Sequence, residues 1–277
     1  MLFRNILIIF FSVIASSSAD IARLPDGTPD LNGVWQVLNT ANYNLEPHPA
    51  KAAMAMVPGP FGPVPAKEVL ALGAVGAVPA GLGVIDGGQI PYNTEARKKQ
   101  IENQKNWLKE DPEVKCYLPG VPRATYQPFP FQIHQSESAF VFTYQFAGAV
   151  RNLIFNSDEE APIDSWMGQS NAVWEGDTLV ISATGFNDRT WFDRAGNHHT
   201  EALKVTERYT LKNEHVMEYE AVIEDANVFT RPWTIRMPIY KRVGRDAQLL
   251  QFKCIAFVEE LLYGDLRKTP VQQGDTK

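Results

Sequence analysis

Histidine and carboxylate side chains recur along the segment from His199 to Leu211 with the spacing of a β-strand. His199, Glu201 and Glu207 share one face of such a strand with apolar residues, namely Leu203, Val205, Tyr209 and Leu211. If that face points into a core, each carboxylate must be paired or protonated, because an isolated buried charge is costly. Histidine and carboxylate groups in an apolar cavity can act as general acid and base, so the pattern predicts proton-transfer chemistry.

Polar side chains from other segments complete the predicted site. A carboxylate would be the base, a histidine the acid, and an arginine or tyrosine would stabilise a developing oxyanion. The alternatives are a structural ion pair between Glu207 and an arginine such as Arg151 or Arg123, or a face assignment that is wrong by one residue. The candidate bases are Glu207 and Glu201, the candidate acids His199 and His134, and the candidate oxyanion donors Arg151 and Tyr126, with Asp225 as a further inward carboxylate.

Other chemistries have less support in the sequence. No Gly-x-Gly-x-x-Gly follows a strand and no Walker loop occurs, which disfavours nicotinamide, flavin and ATP enzymes. The segment Gly168–Ala172 lacks the last glycine of a serine nucleophile elbow. His198 and His199 are adjacent, but strand alternation puts them on opposite faces and leaves no local set of three metal ligands. We therefore predict neither a cofactor nor a metal.

The segment from about Gln127 onward has the pattern of antiparallel β-structure. Aromatic residues alternate along Ser138–Phe146, and short turns at 175–177, 212–214 and 243–245 each separate two β-like runs, the last pair at 233–242 and 248–258. With a first strand after the turn at 30–33, we count about ten strands. The expected fold is mainly β, a closed or nearly closed antiparallel barrel, with a β-sandwich as the alternative.

Two segments interrupt this β pattern. From Pro47 to Pro91 the chain is dominated by Pro, Gly, Ala and Val, which predicts a long irregular loop packed over an apolar surface. One surface helix is expected next, with Thr94 as its N-cap and Pro112 just beyond its end. Its narrow apolar face comprises Ile101, Trp107 and Leu108.

The first nineteen residues have the pattern of a secretory signal. Arg4 precedes a short apolar run at 6–14, and the small residues Ser17 and Ala19 fit cleavage before Asp20. The run is too short to cross a bilayer, so we predict no stable membrane span. The expected product is an exported protein, periplasmic or secreted, with residues 20–277 as a single domain.

Export changes how the two cysteines are interpreted. Cys116 and Cys254 would meet an oxidising compartment, in which a disulfide persists. Such a bridge would close a loop of about 140 residues, with a stabilisation of about 4 to 5 kcal/mol at most in the chain-entropy model. Two unpaired cysteines in the core are the alternative.

Composition narrows the choice of partner. The 277 residues include 26 Lys and Arg against 32 Asp and Glu, with no basic run, which disfavours nucleic acid. A hydrophobic content of 44% and a charged content of 21% are typical of a globular protein with a substantial core. We expect a small apolar or aromatic molecule as partner, and the oligomeric state stays open.

Four motifs are distinctive: KCYLPGVPR at 115–123, WMGQS at 166–170, WEGDTLV at 174–180 and FTRPW at 229–233. Together they resemble a family of uncharacterised exported bacterial proteins found in many copies in soil and marine species, over nearly all of the mature chain. This resemblance implies no activity. The opening Gly33-Val-Trp35 resembles the Gly-x-Trp of lipocalin-type barrels, which tend to enclose one apolar ligand.

These observations lead to one functional prediction and two alternatives. The first is an exported, cofactor-free lyase or isomerase that acts on a small apolar or aromatic substrate in a barrel pocket. The second is a non-catalytic, lipocalin-like binding protein for a small apolar ligand, with the Pro/Gly-rich loop as a cover. The third is a structural envelope protein, favoured if aromatic side chains fill the barrel.

Overall fold

A computed structural model describes most of the chain after the predicted signal segment. The signal prediction at 1–19 and parts of the Pro/Gly-rich loop lie outside the described residues. Those described are 21–50, 56–58, 60–61, 63–65 and 78–258.

Eleven strands occur in the described residues. They are β1 (Gly33–Gln36), β2 (Met56–Pro58), β3 (Pro63–Pro65), β4 (Phe131–Gln135), β5 (Phe140–Tyr144), β6 (Val150–Phe155), β7 (Gln169–Glu175), β8 (Thr178–Thr184), β9 (Lys204–Asn213), β10 (Val216–Glu224) and β11 (Trp233–Lys241). Nine of them close into one barrel in the order β1-β11-β10-β9-β8-β7-β6-β5-β4. The predicted barrel is therefore confirmed, and the sandwich alternative is not the fold.

The barrel differs from the prediction in the direction of one strand pairing and in the absence of one predicted strand from the described residues. β6 and β7 pair in parallel, with Leu153 opposite Ser170, whereas the other neighbouring barrel strands are antiparallel. The strand predicted at 248–258 is not formed in the described residues. The physical reason is that β11 pairs with β10 on one side, while its other edge pairs with β1 at Tyr240 and Lys241 and with Ile85 at Ile235.

Side chains alternate between the inside and the outside of the barrel as predicted for β9 and β10. Val205, Glu207, Tyr209 and Leu211 of β9 are buried, and their neighbours are more exposed. On β5 the same alternation buries Phe140, Phe142 and Tyr144, whose rings stack in sequence. The barrel interior is therefore rich in aromatic side chains.

The first strand is consistent with a lipocalin-like barrel. Trp35 is fully buried, and its indole Nε1 donates to the carbonyl of Leu31 at 2.8 Å. The Lys241 ammonium lies 5.3 Å from the Trp35 ring centroid. Gly33 has φ of 137°, and a Cβ there would lie 2.5 Å from Lys241 Cε, so a side chain at this position would displace Lys241 from the indole.

Two helices, not one, follow the Pro/Gly-rich loop: α1 (Thr94–Lys105) and α2 (Trp107–Glu110). The N-cap of α1 is Asn93, whose side chain accepts from Ala96 N, so the assignment of Thr94 as cap is wrong by one residue.

The apolar face predicted for the helix is also wrong, because Ile101 is 44% exposed. The side chains that face the protein are polar: Gln100 and Asn103 donate to the carbonyls of Ala195 and Gly196 at 2.5 and 3.2 Å. Hydrogen bonds rather than an apolar stripe hold this helix.

The Pro/Gly-rich loop is partly ordered into β-structure where it is described. β2 and β3 pair as a small antiparallel sheet of their own. His48 forms a bridge with Gly81, and Ile85 forms one with Ile235 of β11. The two ends of this loop therefore pair with each other, and the part around Ile85 pairs with the barrel.

Cys116 and Cys254 form a disulfide, which confirms the bridge considered above and excludes the alternative of two unpaired cysteines. The bridge ties the segment after β11 to the stretch before β4. A bridge of this kind fits an oxidising compartment. Among the described residues, no helix has the length and apolar character needed to cross a bilayer.

Candidate functional site

Glu207 lies inside the barrel with its side chain fully buried and bonded on both oxygens. Oε2 accepts from Arg151 of β6, and Oε1 accepts from the hydroxyls of Tyr209 and Tyr219 at 2.9 and 2.8 Å. The Arg151 Nε in turn donates to Ser170 Oγ at 2.7 Å. Strand alternation on β6, β7, β9 and β10 brings these side chains together.

These contacts define a neutralised ion pair. Burial opposes the charge on Arg151, but Glu207 outweighs it and raises the pKa of the guanidinium. Burial and the Glu207 charge raise the pKa values of Tyr209 and Tyr219, so both hydroxyls stay protonated and keep donating. Oε1 has both lone pairs filled, so proton abstraction through Oε1 would first require breaking a hydrogen bond, and Oε2 is already held by the Arg151 guanidinium. Arg151, not Arg123, is the partner in the predicted ion-pair alternative.

Two buried polar groups beside Glu207 have unused hydrogen-bonding capacity. The Arg151 Nη1 and the Tyr144 hydroxyl are buried without a hydrogen bond of ordinary geometry among the described residues. Burial raises the pKa of Tyr144, while the nearby Arg151 charge partly opposes that shift. The sequence hypothesis did not include Tyr144, although its alternation with Phe140 and Phe142 placed it on the inward face.

His199 and Asp225 lie just beyond the strands that were expected to carry them, and Thr200 links them. The Thr200 backbone N donates to Asp225 at 2.6 Å, and the Thr200 carbonyl is 2.8 Å from His199 Nδ1. Because a carbonyl can only accept, Nδ1 carries the proton, and Nε2 accepts from Thr190 Oγ1 at 2.6 Å. Burial lowers the pKa of His199, so the ring is neutral at pH 7 and poorly suited to act as an acid.

The other predicted site residues are scattered. Tyr126 is buried and its hydroxyl donates to the carbonyl of Phe192 at 2.8 Å. Glu201 is exposed in a turn, because β9 begins only at Lys204 and the inward alternation does not extend to it. His134 is exposed on the outer face of β4. Of the seven candidates, direct contact brings together Glu207 and Arg151, and Thr200 links His199 and Asp225.

A second buried charge cluster surrounds Arg123. Its guanidinium donates to Asp111 at 2.8 and 3.0 Å, to Glu113 at 2.5 Å and to Asn42 at 2.9 Å. Arg194 also donates to Glu113 at 2.8 Å. Burial opposes ionisation of Glu113, but the two arginines outweigh it and hold its pKa at about 2. The two arginines balance the carboxylates of Asp111 and Glu113. This cluster was not predicted from the sequence, and the signal that could have indicated it is the charged residues within 111–123.

His198 gives a pH prediction. Burial, with the neighbouring His199, lowers the pKa of His198 to about 4 from an ordinary value of 6.5. Between these pH values His198 binds more protons in the unfolded chain than in the folded protein. Its contribution to stability is therefore lost as the pH falls from about 6.5 to about 4. His198→Phe keeps a ring beside Tyr92 and should remove about 1–2 kcal/mol of that loss.

Urea unfolding of both proteins at intervals from pH 4 to 7 measures this effect. The buried carboxyl of Asp193, whose pKa burial raises to about 7, acts in the opposite direction over the same range. Because both proteins contain Asp193, its contribution cancels in the stability difference between wild type and His198→Phe. Parallel stability curves for wild type and His198→Phe would contradict the prediction.

A cavity of about 310 Å³ opens at the β4–β5 end of the barrel. We call it the barrel mouth. Its inward-facing walls are Phe140, Leu153, Phe155 and Trp174, and its rim comes from the β4–β5 turn and from the N-terminal segment that carries Asp26 and Thr28. This volume is at the lower end of the range for small-molecule pockets.

The barrel mouth sits directly above the Glu207 cluster. Phe140 stacks on Phe142 with ring centroids 5.7 Å apart, and Phe142 contacts Tyr209 at 5.4 Å. The residues that line the mouth include two titratable side chains, Asp26 and Glu137, both carboxylates. An aromatic layer therefore separates the cavity from the buried ion pair.

No family model, curated protein or solved structure matches this chain. Within the described ranges, no three His, Cys, Asp or Glu side chains form a group that could hold a metal ion. The architecture, a closed barrel with a cavity at one end, is consistent with a lipocalin-like fold.

Proposed function

We propose that this chain is an exported binding protein that holds a small, mainly apolar or aromatic molecule in the barrel mouth. The observation that carries the proposal is the cavity of about 310 Å³ with Phe140, Phe155 and Trp174 on its inner walls. Aromatic side chains supply large apolar contact areas and favourable ring stacking. Most of the other lining residues are polar, so a ligand would place its rings against the inner wall and its polar groups at the rim.

The polar groups favour binding over proton transfer. General acid–base catalysis needs one group to remove a proton and another to supply it within hydrogen-bond reach of the substrate. The barrel mouth has carboxylates alone among its titratable lining residues, and Glu207 lies beneath Phe142 with its Oε1 saturated. A lyase or isomerase centred on Glu207 would have to open this aromatic layer first.

Fluorescence titration with N-phenyl-1-naphthylamine, an uncharged aromatic probe, tests the proposal. We expect saturable binding at the barrel mouth of the wild type and at least about tenfold weaker binding at this site in Trp174→Ala, since a lost ring contact of about 1.4 kcal/mol is a tenfold change in Kd. Val173→Ala is the matched control, because Val173 is the next residue on β7 and is 42% exposed on the outer face. Native mass spectrometry of the purified protein would show a copurifying small molecule.

Equal probe binding by Trp174→Ala and wild type would contradict a site in the barrel mouth. Conversion of a bound small molecule into a product, at a rate that depends on Glu207, would instead support the lyase or isomerase prediction. Glu207→Gln retains the size of the side chain and is the variant for that comparison.

A further inference from the structure

A second cavity of about 290 Å³ lies away from the barrel mouth. Phe129 precedes β4 and Phe146 follows β5, so both lie at the ends of these strands opposite the β4–β5 turn that rims the mouth. With Val114 and Pro128 they form one wall of this cavity. We call the cavity the tail cleft.

The opposite wall belongs to the segment after β11. Phe252, Cys254, Ile255 and Val258 line the tail cleft from this side. The Phe252 ring lies 5.1 Å from that of Phe129 and 5.0 Å from that of Phe146, measured between centroids. The cavity therefore exists only while this segment stays in place.

The disulfide, the Phe252 ring contacts and two backbone N–H donors hold the segment 248–258 against the rest of the protein. It has no strand pairing in the part of the chain that the structure describes. Two of its backbone N–H groups donate to the rest of the protein: Phe257 N to the carbonyl of Val114 at 2.7 Å and Leu250 N to the side-chain Oε1 of Gln145 at 2.9 Å. The Cys116–Cys254 bridge is the one covalent link between the two walls.

We propose that the tail cleft is a second binding site, for a small neutral aromatic molecule, and that the Cys116–Cys254 disulfide assembles it. Oxidised protein then holds the ligand between Phe129 and Phe252, and reduction releases it by freeing one wall. This inference is independent of the proposed function, because the barrel mouth and the tail cleft share no lining residue.

The lining argues for a neutral ligand. Glu113 reaches the tail cleft, but Arg194 and Arg123 neutralise it, and Arg194 also lines the cavity. Lys253 also lines the cavity, but its side chain is exposed, so water solvates its charge. An ionic ligand would add an uncompensated charge beside the balanced Glu113 cluster. Three phenylalanine rings offer stacking and edge contacts to a planar apolar molecule.

Reduction follows ordinary thiol–disulfide exchange. The thiolate of a dithiol reductant attacks one sulfur of the bridge to form a mixed disulfide, and its second thiol then releases the protein. Two electrons and two protons pass to Cys116 and Cys254, and the reductant becomes a disulfide. Both cysteines are partly exposed, which leaves the bridge open to attack.

Titration with N-phenyl-1-naphthylamine in the Trp174→Ala background isolates the tail cleft from the barrel mouth. We expect the oxidised protein to bind the probe, and dithiothreitol to weaken binding by at least about tenfold. Phe252→Ala, which keeps the disulfide, should weaken binding to a similar extent. Leu250→Ala is the matched control, because Leu250 lies on the same segment, is 63% exposed and does not line the cavity.

A Cys116→Ser/Cys254→Ser variant should bind weakly whether or not dithiothreitol is present. Circular dichroism checks that this variant is folded, and Phe252→Ala provides the test if it is not. Probe binding that resists both reduction and Phe252→Ala would overturn the proposal. Binding that disappears with Trp174→Ala alone would do the same while supporting a ligand in the barrel mouth.

Discussion

Glu207→Leu is expected to lower the free energy of unfolding by about 3–5 kcal/mol at pH 7, the range typical for breaking a buried ion pair from one side. The substitution leaves the Arg151 guanidinium buried without a counter-charge and removes the acceptor of two tyrosine hydroxyls. An unpaired buried charge and unpaired buried donors each cost more than the original contact contributed. Urea unfolding monitored by circular dichroism measures the loss.

The double variant Arg151→Met/Glu207→Leu separates the pair from the packing around it. Removing both charges should recover a large part of the loss, because apolar replacements of a buried pair are often close to neutral. Glu175→Gln is the control, since Glu175 pairs with Arg208 on the same barrel but is 53% exposed, and it should cost less than about 1 kcal/mol. A loss in Glu207→Leu no larger than in this control would show that the cluster contributes little to stability.

Arg123→Met is expected to cost about 3–5 kcal/mol at pH 7, because it leaves Asp111 buried without a counter-charge and removes one of the two arginines that pair with Glu113. The deficit depends on pH in a defined direction. In the wild type the depressed pKa of Glu113, about 2 against an ordinary 4.5, stabilises the fold above pH 4.5 and is lost as the pH falls toward 2. The stability difference between wild type and variant should therefore be largest above about pH 5 and should narrow in acid.

Unfolding at pH 7 and at pH 3.5 tests this direction. Lys98→Gln is the control, because Lys98 pairs with Glu95 on the exposed side of α1 and should change stability by only a few tenths of a kcal/mol. A deficit in Arg123→Met that grows toward low pH would contradict the assignment of Arg123 as one of the two arginines, with Arg194, that keep Glu113 ionised.

Local patterns in the sequence were sufficient to predict the barrel strands and the inward orientation of the Glu207 carboxylate. The alternation in β9 is a property of adjacent residues, so it predicted that Glu207 points inward with Val205 and Tyr209. The same rule failed for Glu201, because alternation holds only within a strand and β9 begins after it. A face assignment cannot be extended past a strand end that the sequence does not mark.

Features that depend on distant pairings could not be predicted in the same way. The turn at 243–245 has a local hairpin pattern, but β1 occupies the edge of β11 that a following strand would need. The barrel mouth combines Asp26 with walls from β5, β6 and β7, and the parallel pairing of β6 with β7 has no local signal. The pairing of Arg123 with Asp111 and Glu113 was likewise not predicted from the sequence, although all three lie within residues 111–123.

Closure of the barrel by β1 places a constraint on the order in which the chain can fold. Trp35 pairs with Phe131 of β4 on one side and with Lys241 of β11 on the other. Contacts between residues so far apart in the chain slow folding, because the entropy of the intervening loop must be lost before the contact forms. Because synthesis proceeds from the N-terminus, one edge of β1 stays unpaired in the nascent chain until β11 has been synthesised. A chaperone could protect this exposed strand during that interval.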